Sequence, residues 1–315
     1  MYLNLSIFLN IFIITSYFIG IEVKKRMLIA AFKEVKDIGK RVARVLNAEY
    51  TTIDVKDFPD SEFHLKLHKN PRHKNIVIMN SMTKDPDEKI IETLLACGIA
   101  KDYGAKKVIL VATYLPYMRQ DKHFEKYDSF SSKHILRLFN EFDEIIAIDP
   151  HLHRIKRLSQ LSKKARSISV DEVVADYIRR NFKEDFEIIG PDSESRQWGA
   201  VIAKMLGKKV IIMNKKRFGD YKVKQEKIKL DSGKEYLIID DIISTGKTIS
   251  GVLEMARGQG AKKLYCIGIH GVLAGNADKL IKRNAKLITT NTIHSKYAKI
   301  DVSPEIIKVL KKYNF

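Results

Sequence analysis

Cysteine, proline and glycine are all scarce in this sequence, and each shortage excludes a class of protein. The two cysteines among 315 residues, Cys97 and Cys266, are too few for a disulfide framework or a four-ligand zinc cage, and they fit a reducing cytoplasm. With 7 prolines, 16 glycines and 45% apolar residues, the chain is neither collagen-like nor low in complexity nor disordered. Its length instead predicts about two domains of roughly 150 residues, each with an apolar core.

Acidic residues are also outnumbered by basic ones. The 38 acidic residues stand against 57 lysines and arginines, so the formal net charge is +19. Such an excess indicates a polyanionic partner, which includes phosphorylated metabolites, nucleic acid and an anionic membrane surface. The most basic stretch, residues 151–166, has six Lys or Arg but no interleaved aromatic residue, so only charge supports nucleic-acid binding. We therefore expect no nucleic-acid partner.

The first 26 residues differ in composition from the rest of the chain. Residues 3–23 are almost uncharged and are followed by the basic sequence Lys24-Lys25-Arg26. An apolar run of about 20 residues is long enough to cross a bilayer, with its basic flank in the cytoplasm. The alternative, which we favour, is a non-native start, with the native chain beginning at Met27. We expect the remainder of the chain to be cytoplasmic in both cases, with membrane contact only if residues 1–26 are native.

From Met27 onward, short apolar runs alternate with helical stretches of about 10–15 residues, which predicts βαβ units and a mostly parallel sheet. The fold class is therefore α/β. The predicted strands are Leu28–Phe32, Thr51–Val55, Ile76–Met79, Val108–Ala112, Ile145–Ile148, Ile188–Ile189, Val210–Met213, Leu237–Ile239, Leu264–Ile269 and Leu287–Thr289.

The two halves of the chain also resemble each other. A shift of 160 residues places Gly39 on Gly199, and it places the segment that starts at Lys74 on the one that starts at Lys234. After a gap of four residues, the sequence GAKKV at 104 meets GAKKL at 260. An ordered series of matches predicts an internal duplication, with domains at 27–167 and 168–315. No linker rich in Gly, Ser or Pro separates them, so we expect close packing.

The strongest local motif spans residues 237–256. An apolar strand leads into Asp240 and Asp241, and a Ser-Thr-Gly turn at 244–246 then precedes an amphipathic helix. Backbone N–H groups at such a helix start, together with Ser and Thr hydroxyls, form a cradle for an anion. The two carboxylates could bind ribose hydroxyls directly or through a metal ion. Two alternatives fit less well. A Walker A phosphate loop would need glycine at the position of Asp241. A helix cap without ligand binding does not explain two acids at the end of an apolar strand.

This segment resembles the phosphoribosyl diphosphate-binding fingerprint of type I phosphoribosyltransferases and ribose-phosphate diphosphokinases. That fingerprint consists of two acids, three further residues and the sequence T-G-x-T. Five residues match, and Ser244 and Lys247 replace residues that are frequent in the family, Asp and Gly. The resemblance implies that this segment binds ribose 5-phosphate through Asp240, Asp241, Ser244, Thr245, Gly246, Lys247 and Thr248.

Two segments of the first half resemble diphosphokinase motifs for ATP. The sequence F-P-D-S-E at 58–62 is similar to F-P-D-G-E, which contributes to the adenine site and often acts across a subunit contact. The sequence P-Y-M-R-Q-D at 116–121 is similar to P-Y-A-R-Q-D, whose Arg and Gln reach ATP. The resemblance implies that ATP is bound by Phe58, Asp60, Glu62, Arg119 and Gln120.

Three further segments resemble motifs for metal binding and catalysis. The sequence D-P-H that ends at His151 is similar to D-L-H, whose histidine is a magnesium-associated ligand, although nearby His153 is a rival for this role. The sequence G-P-D that ends at Asp192 resembles a strand end whose Asp faces metal and ribose. Lys215 and Arg217 match the K-x-R at the root of a catalytic loop, here 218–227. The resemblance thus implies Mg²⁺ at His151 and Asp192, and catalytic roles for Lys215 and Arg217.

The six elements appear in family order and span residues 58–248. Together with the duplicated domain plan, they extend the resemblance to a ribose-phosphate diphosphokinase, an archaeal-like member, over essentially all of 27–315. The resemblance implies two tandem duplicated type I phosphoribosyltransferase domains, whose mostly parallel sheets are flanked by helices. It also implies transfer of the diphosphoryl group of ATP to the 1-hydroxyl of ribose 5-phosphate, and self-association into a dimer or larger oligomer. Two alternatives stay open: a base phosphoribosyltransferase, which normally has one such domain, and a catalytically silent regulatory relative.

Overall fold

The computed structural model describes residues 26–183, 185–213 and 229–313, together with the backbone of 215–218 and 222–225. Residues 1–25 of the predicted extension 1–26 and the side chains of Lys215 and Arg217 therefore lie outside the described residues. So do residues 219–221 and 226–227 of the predicted catalytic loop 218–227, and only the backbone of its other residues is described. Within those ranges, no helix is long and apolar enough to cross a membrane.

Strands and helices alternate along both halves, as the apolar runs predict. The first half contains β1 (Met27–Ala31), α1 (Lys36–Val45), β2 (Glu49–Asp57), β3 (Phe63–Leu67), β4 (Asn75–Ser81), α2 (Pro86–Asp102), β5 (Lys107–Tyr114), α3 (Ser131–Leu138), β6 (Glu144–Ile148) and β7 (Ala165–Ile168). The second half contains α4 (Asp171–Asn181), β8 (Phe186–Gly190), α5 (Arg196–Leu206), β9 (Val210–Ile212), β10 (Lys215–Phe218), β11 (Lys222–Gln225), β12 (Glu235–Ile243), α6 (Lys247–Gly258), β13 (Lys263–Gly271), α7 (Ala277–Lys282), β14 (Lys286–Thr290), β15 (Ala298–Ile300) and α8 (Ser303–Leu310).

The strands form two large sheets with one common order. The first sheet has the order β3-β2-β1-β4-β5-β6-β7, and the second has the order β15-β14-β13-β12-β8-β9. All neighbours are parallel except β3, which pairs antiparallel with β2. If β1 is matched with β8 and β4 with β12, both sheets follow the same path. The prediction of an α/β fold with two tandem, mostly parallel domains is confirmed, and the shared order supports the duplication.

The two halves pack into one continuous apolar core. One buried cluster contains residues from one face of each sheet and from the helices α1, α4, α5 and α8, such as Val77, Val174, Ile202 and Leu237. Burial of one such aliphatic side chain stabilises the fold by about 1.5–3 kcal/mol. The chain passes from the first sheet to the second after β7, close to the predicted boundary at 167, and α8 then contacts α1 of the first half.

Candidate active site

Four of the predicted motifs lie at or just after the carboxyl ends of parallel strands. The loop after β12 carries the anion-binding motif, the loop after β8 carries Asp192, the loop after β6 carries His151, and the loop after β5 carries Arg119. In open parallel sheets, ligands bind at this edge. Residues from both halves therefore meet in one cavity of about 240 Å³.

The anion-binding turn depends on the glycine at 246. Gly246 has a φ of 72° and precedes α6, whose first three residues, 247–249, line the cavity. Backbone N–H groups at a helix start are suited to bind an anion. A Cβ atom at this position would lie 3.3 Å from the side chains of Ala277 and Ile281. Both the backbone conformation and the close packing therefore favour glycine. All residues from Asp240 to Ile249 line the cavity.

Two adjacent carboxylates form the wall next to this turn. Asp241 is buried, and its Oδ1 accepts a hydrogen bond of 2.8 Å from the backbone N–H of Ile242. Burial raises the pKa of Asp240 well above its usual range, and the negative charges of Asp241 and Asp192 raise it further. A bound cation or hydroxyl donors would relieve this repulsion.

His151 comes from the first half but is held by residues of the second. Its Nδ1 lies 2.6 Å from Oδ2 of Asp241, and its Nε2 lies 3.5 Å from Oε2 of Glu194. Its ring is stacked on the indole of Trp198, with 6.2 Å between centroids and 19° between planes. Burial lowers the pKa of His151, but the hydrogen bond to Asp241 and its charge outweigh burial, so the pKa is raised. The Asp241 contact thus fixes the orientation of the imidazole ring.

Asp192 shapes the turn that leads into α5. Its Oδ1 accepts hydrogen bonds of 3.1 Å from the N–H groups of Glu194 and Ser195. Asp192 and His151 line the same cavity, whereas His153 lines a neighbouring cavity and its Nε2 lies 3.4 Å from Oε1 of Glu194. This placement favours His151 over His153 as the residue that faces the anion-binding turn.

Hydrogen bonds below the cavity join the two halves. Nε2 of the buried His270 lies 3.1 Å from the backbone oxygen of Asp149, and its Nδ1 lies 3.0 Å from the hydroxyl of Thr292. The carboxylate of Asp149 accepts a hydrogen bond of 2.8 Å from the N–H of Val170. Burial raises the pKa of Asp149 to about 8. Residues of both halves therefore hold the segment that presents His151.

A second cavity of about 540 Å³ adjoins the first. Arg119, His151 and Glu194 line both cavities, and the second is completed by Lys122, Phe124, His153 and Arg154. Buried Asp121 holds Arg154 by accepting hydrogen bonds of 2.6 Å from its backbone N–H and 3.0 Å from its guanidinium. Together the two cavities form an elongated site with cationic side chains at one end.

Four predicted ATP-binding residues lie away from these cavities. In the described part of the chain, Phe58, Asp60 and Glu62 line neither cavity, because the β2–β3 turn is near the sheet edge, three strands from β5. The hydroxyl of Ser131 donates to the side-chain oxygen of Gln120, which also lines neither cavity. Their roles stay predictions.

Sequence reasoning missed three residues at the site. Glu194 and Trp198 belong to none of the predicted motifs, although Trp198 is the single tryptophan of the chain. Phe124 was also missed because it belongs to no motif, although it follows the P-Y-M-R-Q-D motif by only three residues. Glu194 and Trp198 acquire their place through contact with His151, which is distant in the chain, and Phe124 lies beside the distant Arg154.

The donor set fits a magnesium ion that is shared with a substrate. Within the described residues, no group of three or more His, Cys, Asp or Glu side chains is arranged to hold a metal by itself. Four carboxylates nevertheless line the cavity that contains the anion-binding turn, those of Asp192, Glu194, Asp240 and Asp241. Mg²⁺ commonly takes one or two protein carboxylates and completes its shell with water and phosphate oxygens.

The chain contains two copies of one parallel-sheet arrangement, and in the second copy strand β12 ends with two acids and leads into an anion-binding turn. These features define a protein of the phosphoribosyltransferase class. Residues 158–305 match the family described as the phosphoribosyl transferase domain. Residues 27–142 match the N-terminal domain of ribose phosphate pyrophosphokinase. The chain belongs to the ribose-phosphate pyrophosphokinase family, which is another name for the diphosphokinases. The predicted resemblance is thereby confirmed, as is the prediction of an enzyme.

Curated relatives agree with this assignment, and a solved structure shares the fold. The chain is 31% identical to a ribose-phosphate pyrophosphokinase of Pyrococcus furiosus over 84% of this chain and 94% of the relative. It is 28% identical to that of Methanopyrus kandleri over 90% of this chain and 99% of the relative. The crystal structure of phosphoribosylpyrophosphate synthetase from Mycobacterium smegmatis has a similar fold, with a TM-score of 0.80, 21% identity, and coverage of 91% of this chain and 98% of that one.

Proposed function

We propose that this protein transfers the diphosphoryl group of ATP to the 1-hydroxyl of ribose 5-phosphate, giving AMP and 5-phosphoribosyl 1-diphosphate for nucleotide biosynthesis. The observation that carries the proposal is the shared cavity. It joins the anion-binding turn and the carboxylates of Asp240 and Asp241 to Arg119 and His151 of the other half. A sugar phosphate held at the turn would thus face an ATP held by the first half.

The sugar phosphate is held through its phosphate and through its ribose hydroxyls in this proposal. The N–H groups and hydroxyls of residues 244–248 bind the 5-phosphate, and the charge of Lys247 adds to the helix dipole. Asp240 and Asp241 accept hydrogen bonds from ribose hydroxyls. These contacts direct the 1-hydroxyl away from the turn, toward Arg119 and His151.

The chemical step is attack of the 1-hydroxyl oxygen on the β-phosphorus, with AMP as the leaving group and loss of the hydroxyl proton. Such a reaction depends on positioning and on positive charge more than on a strong base. Arg119 suits this role because its guanidinium presents paired donors to phosphate oxygens. Lys215 and Arg217 are proposed to stabilise the transferring group.

His151 and Asp192 are the residues that would hold Mg²⁺. A bound Mg²⁺ would neutralise negative charge on the phosphate oxygens of ATP. Two contacts orient the His151 ring for this role, its hydrogen bond to Asp241 and its stacking on the indole of Trp198. We further propose self-association as a dimer or larger oligomer, in which Phe58, Asp60 and Glu62 reach the ATP of another subunit. We also propose a cytoplasmic location.

A direct assay tests the proposal. The protein is incubated with ATP, Mg²⁺ and ribose 5-phosphate, and AMP is quantified with and without the sugar. We expect sugar-dependent AMP, and we expect K215A and R217A to lose most turnover while ribose 5-phosphate still binds. Base-dependent diphosphate release from 5-phosphoribosyl 1-diphosphate, without AMP formation, would instead identify a base phosphoribosyltransferase. Full turnover in both variants would remove Lys215 and Arg217 from the catalytic role.

A further inference from the structure

The cavity beside the phosphate site has one large aromatic surface. Phe124 lines this cavity, and half of its side chain is exposed, at 50%. The cavity shares Arg119, His151 and Glu194 with the cavity of the anion-binding turn. A ligand that extends from one cavity into the other would therefore pass the Phe124 ring.

Contacts within its own segment hold Phe124 in this place. The carboxylate of Asp128 accepts a hydrogen bond of 3.2 Å from the N–H of Phe124 and one of 2.7 Å from the N–H of Ser129. Nδ1 of His123 lies 2.5 Å from the backbone oxygen of Asp128, and its ring meets Phe130 edge-on at 5.9 Å. The segment thus presents the phenyl ring to the cavity without help from another subunit.

Cationic side chains surround the ring. The guanidinium of Arg154 lies 5.2 Å from the ring centroid of Phe124, and Nζ of Lys122 lies at the same distance, 5.2 Å. Arg154 is fixed there by Asp121, which is only 2% exposed. An aromatic ring flanked by two cations, of which Arg154 is fixed by a buried carboxylate, matches a ligand that combines a flat base with phosphates.

We propose that the base of the nucleotide substrate stacks on Phe124 of the same chain. The triphosphate then extends past Arg154 and Arg119 toward the cavity of the anion-binding turn. This inference rests on the proposed function and adds a base platform that the sequence motifs do not include. Phe58, the residue predicted for the adenine, lines neither cavity in the described chain, so it would act only from another subunit.

Calorimetric binding to the full chain, in the presence of Mg²⁺ and without sugar, tests the platform. We expect F124L to raise the Kd for ATP at least about fivefold, the lower end of the effect of base–aromatic stacking. Inorganic tripolyphosphate, which has no base, should bind F124L and the wild type within about twofold. F124W keeps an aromatic face and should restore ATP binding.

The control variant is Y127L, which removes another aromatic side chain of the same segment. Tyr127 is 92% exposed and lines neither described cavity, so its loss should leave ATP binding unchanged. Wild-type ATP affinity in F124L, or an equal loss of tripolyphosphate binding, would overturn the inference. ATP binding that depends on Phe124 in a protein that forms no AMP would support the platform and reject the proposed reaction. Wild-type ATP affinity in F124L, in a protein that does form AMP, would reject the platform and support the proposed reaction.

Discussion

The two halves of the chain share one strand order but carry different chemistry at the same place in the fold. Strand β12 contains Asp240 and Asp241, whereas the shift of 160 residues places Asn80 and Ser81 at the end of β4. In each half a residue with positive φ precedes the next helix, at 72° for Gly246 and 45° for Asp85. Similar backbone plans therefore support an anion-binding turn in one half only.

The helix starts explain the difference. Helix α2 begins with Pro86 and has Asp87 and Glu88 in its first turn, whereas α6 begins with Lys247 and Thr248. The positive end of a helix dipole attracts anions. Two acidic side chains neutralise this end of α2, so a phosphate is repelled there and attracted at α6.

The polar strand end of the first half instead helps to hold the molecule together. The Ser81 hydroxyl donates a hydrogen bond of 2.8 Å to the backbone oxygen of Thr292, and the Thr113 hydroxyl donates one of 2.7 Å to the same atom. Asn80 is buried and donates to the hydroxyl of Thr93. After duplication, one copy of the strand end can serve ligand binding while the other serves packing.

The largest effect is expected when Asp240 and Asp241 at the end of β12 are replaced by the residues at the matching positions of β4, Asn80 and Ser81. The variant D240N/D241S keeps two polar side chains but removes both carboxylates from the cavity. We expect sugar-dependent AMP formation to fall at least about 100-fold, because groups that position the reacting centre contribute on this scale. D54N, which changes an exposed carboxylate in β2, is the matched control. Activity within tenfold of wild type in a folded double variant would refute the comparison.

A single acid at the start of α6 should have the next largest effect. T248E places a carboxylate where the first half has Glu88, and it should raise the Kd for ribose 5-phosphate about tenfold, since its charge opposes the phosphate. Calorimetry with the sugar phosphate measures this change. The reciprocal variant E88T should bind like the wild type. Equal weakening by both variants would contradict the proposed difference between the two helix starts.

The contact between His151 and Trp198 couples the halves at the site itself. W198L removes the stacked ring, so we expect kcat to fall about tenfold with little change in the KM for ribose 5-phosphate. W198F keeps a ring beside His151 and should stay within about threefold of wild type. Thermal melts show whether each variant folds. If both variants lose kcat equally, ring stacking does not position His151.

The smallest effect concerns the pH dependence of stability. Burial lowers the pKa of His270 below its usual value of about 6.5. The unfolded chain therefore binds more protons below this pH than the folded chain does, and this residue lowers the free energy of unfolding as pH falls. Urea unfolding at pH 5.5 and 7.5 should differ less for H270Q than for the wild type. An unchanged pH difference would indicate that other groups dominate.

Most strands of the two sheets could be predicted because their apolar runs are buried on both faces of a parallel sheet, as in β1, β4 and β5. Strand β3 escaped prediction because it lies at a sheet edge, where Phe63–Leu67 alternates apolar and polar residues. Strands β7 and β15 are short and contain charged residues, so their sequences resemble loops.

The site could be predicted only in part. The anion-binding turn is local, since its acids, its glycine and its helix start lie within nine residues. The partners of His151 are not local: Asp241 is 90 positions away, and the contacts with Trp198 and Glu194 also cross between the halves. Such pairs depend on how two sheets pack, which no spacing along the chain encodes.

The sequence by itself thus determined the α/β class, the duplication and the anion-binding turn, because apolar runs, repeated segments and helix starts act over short distances. Tertiary structure alone decided that Arg119 and His151 of one half face Asp240 and Asp241 of the other. It also decided that Phe124 lies beside this cavity while Phe58 does not. The physical reason is that packing on the shared core sets which strand ends meet, and only strand ends that meet can form one site.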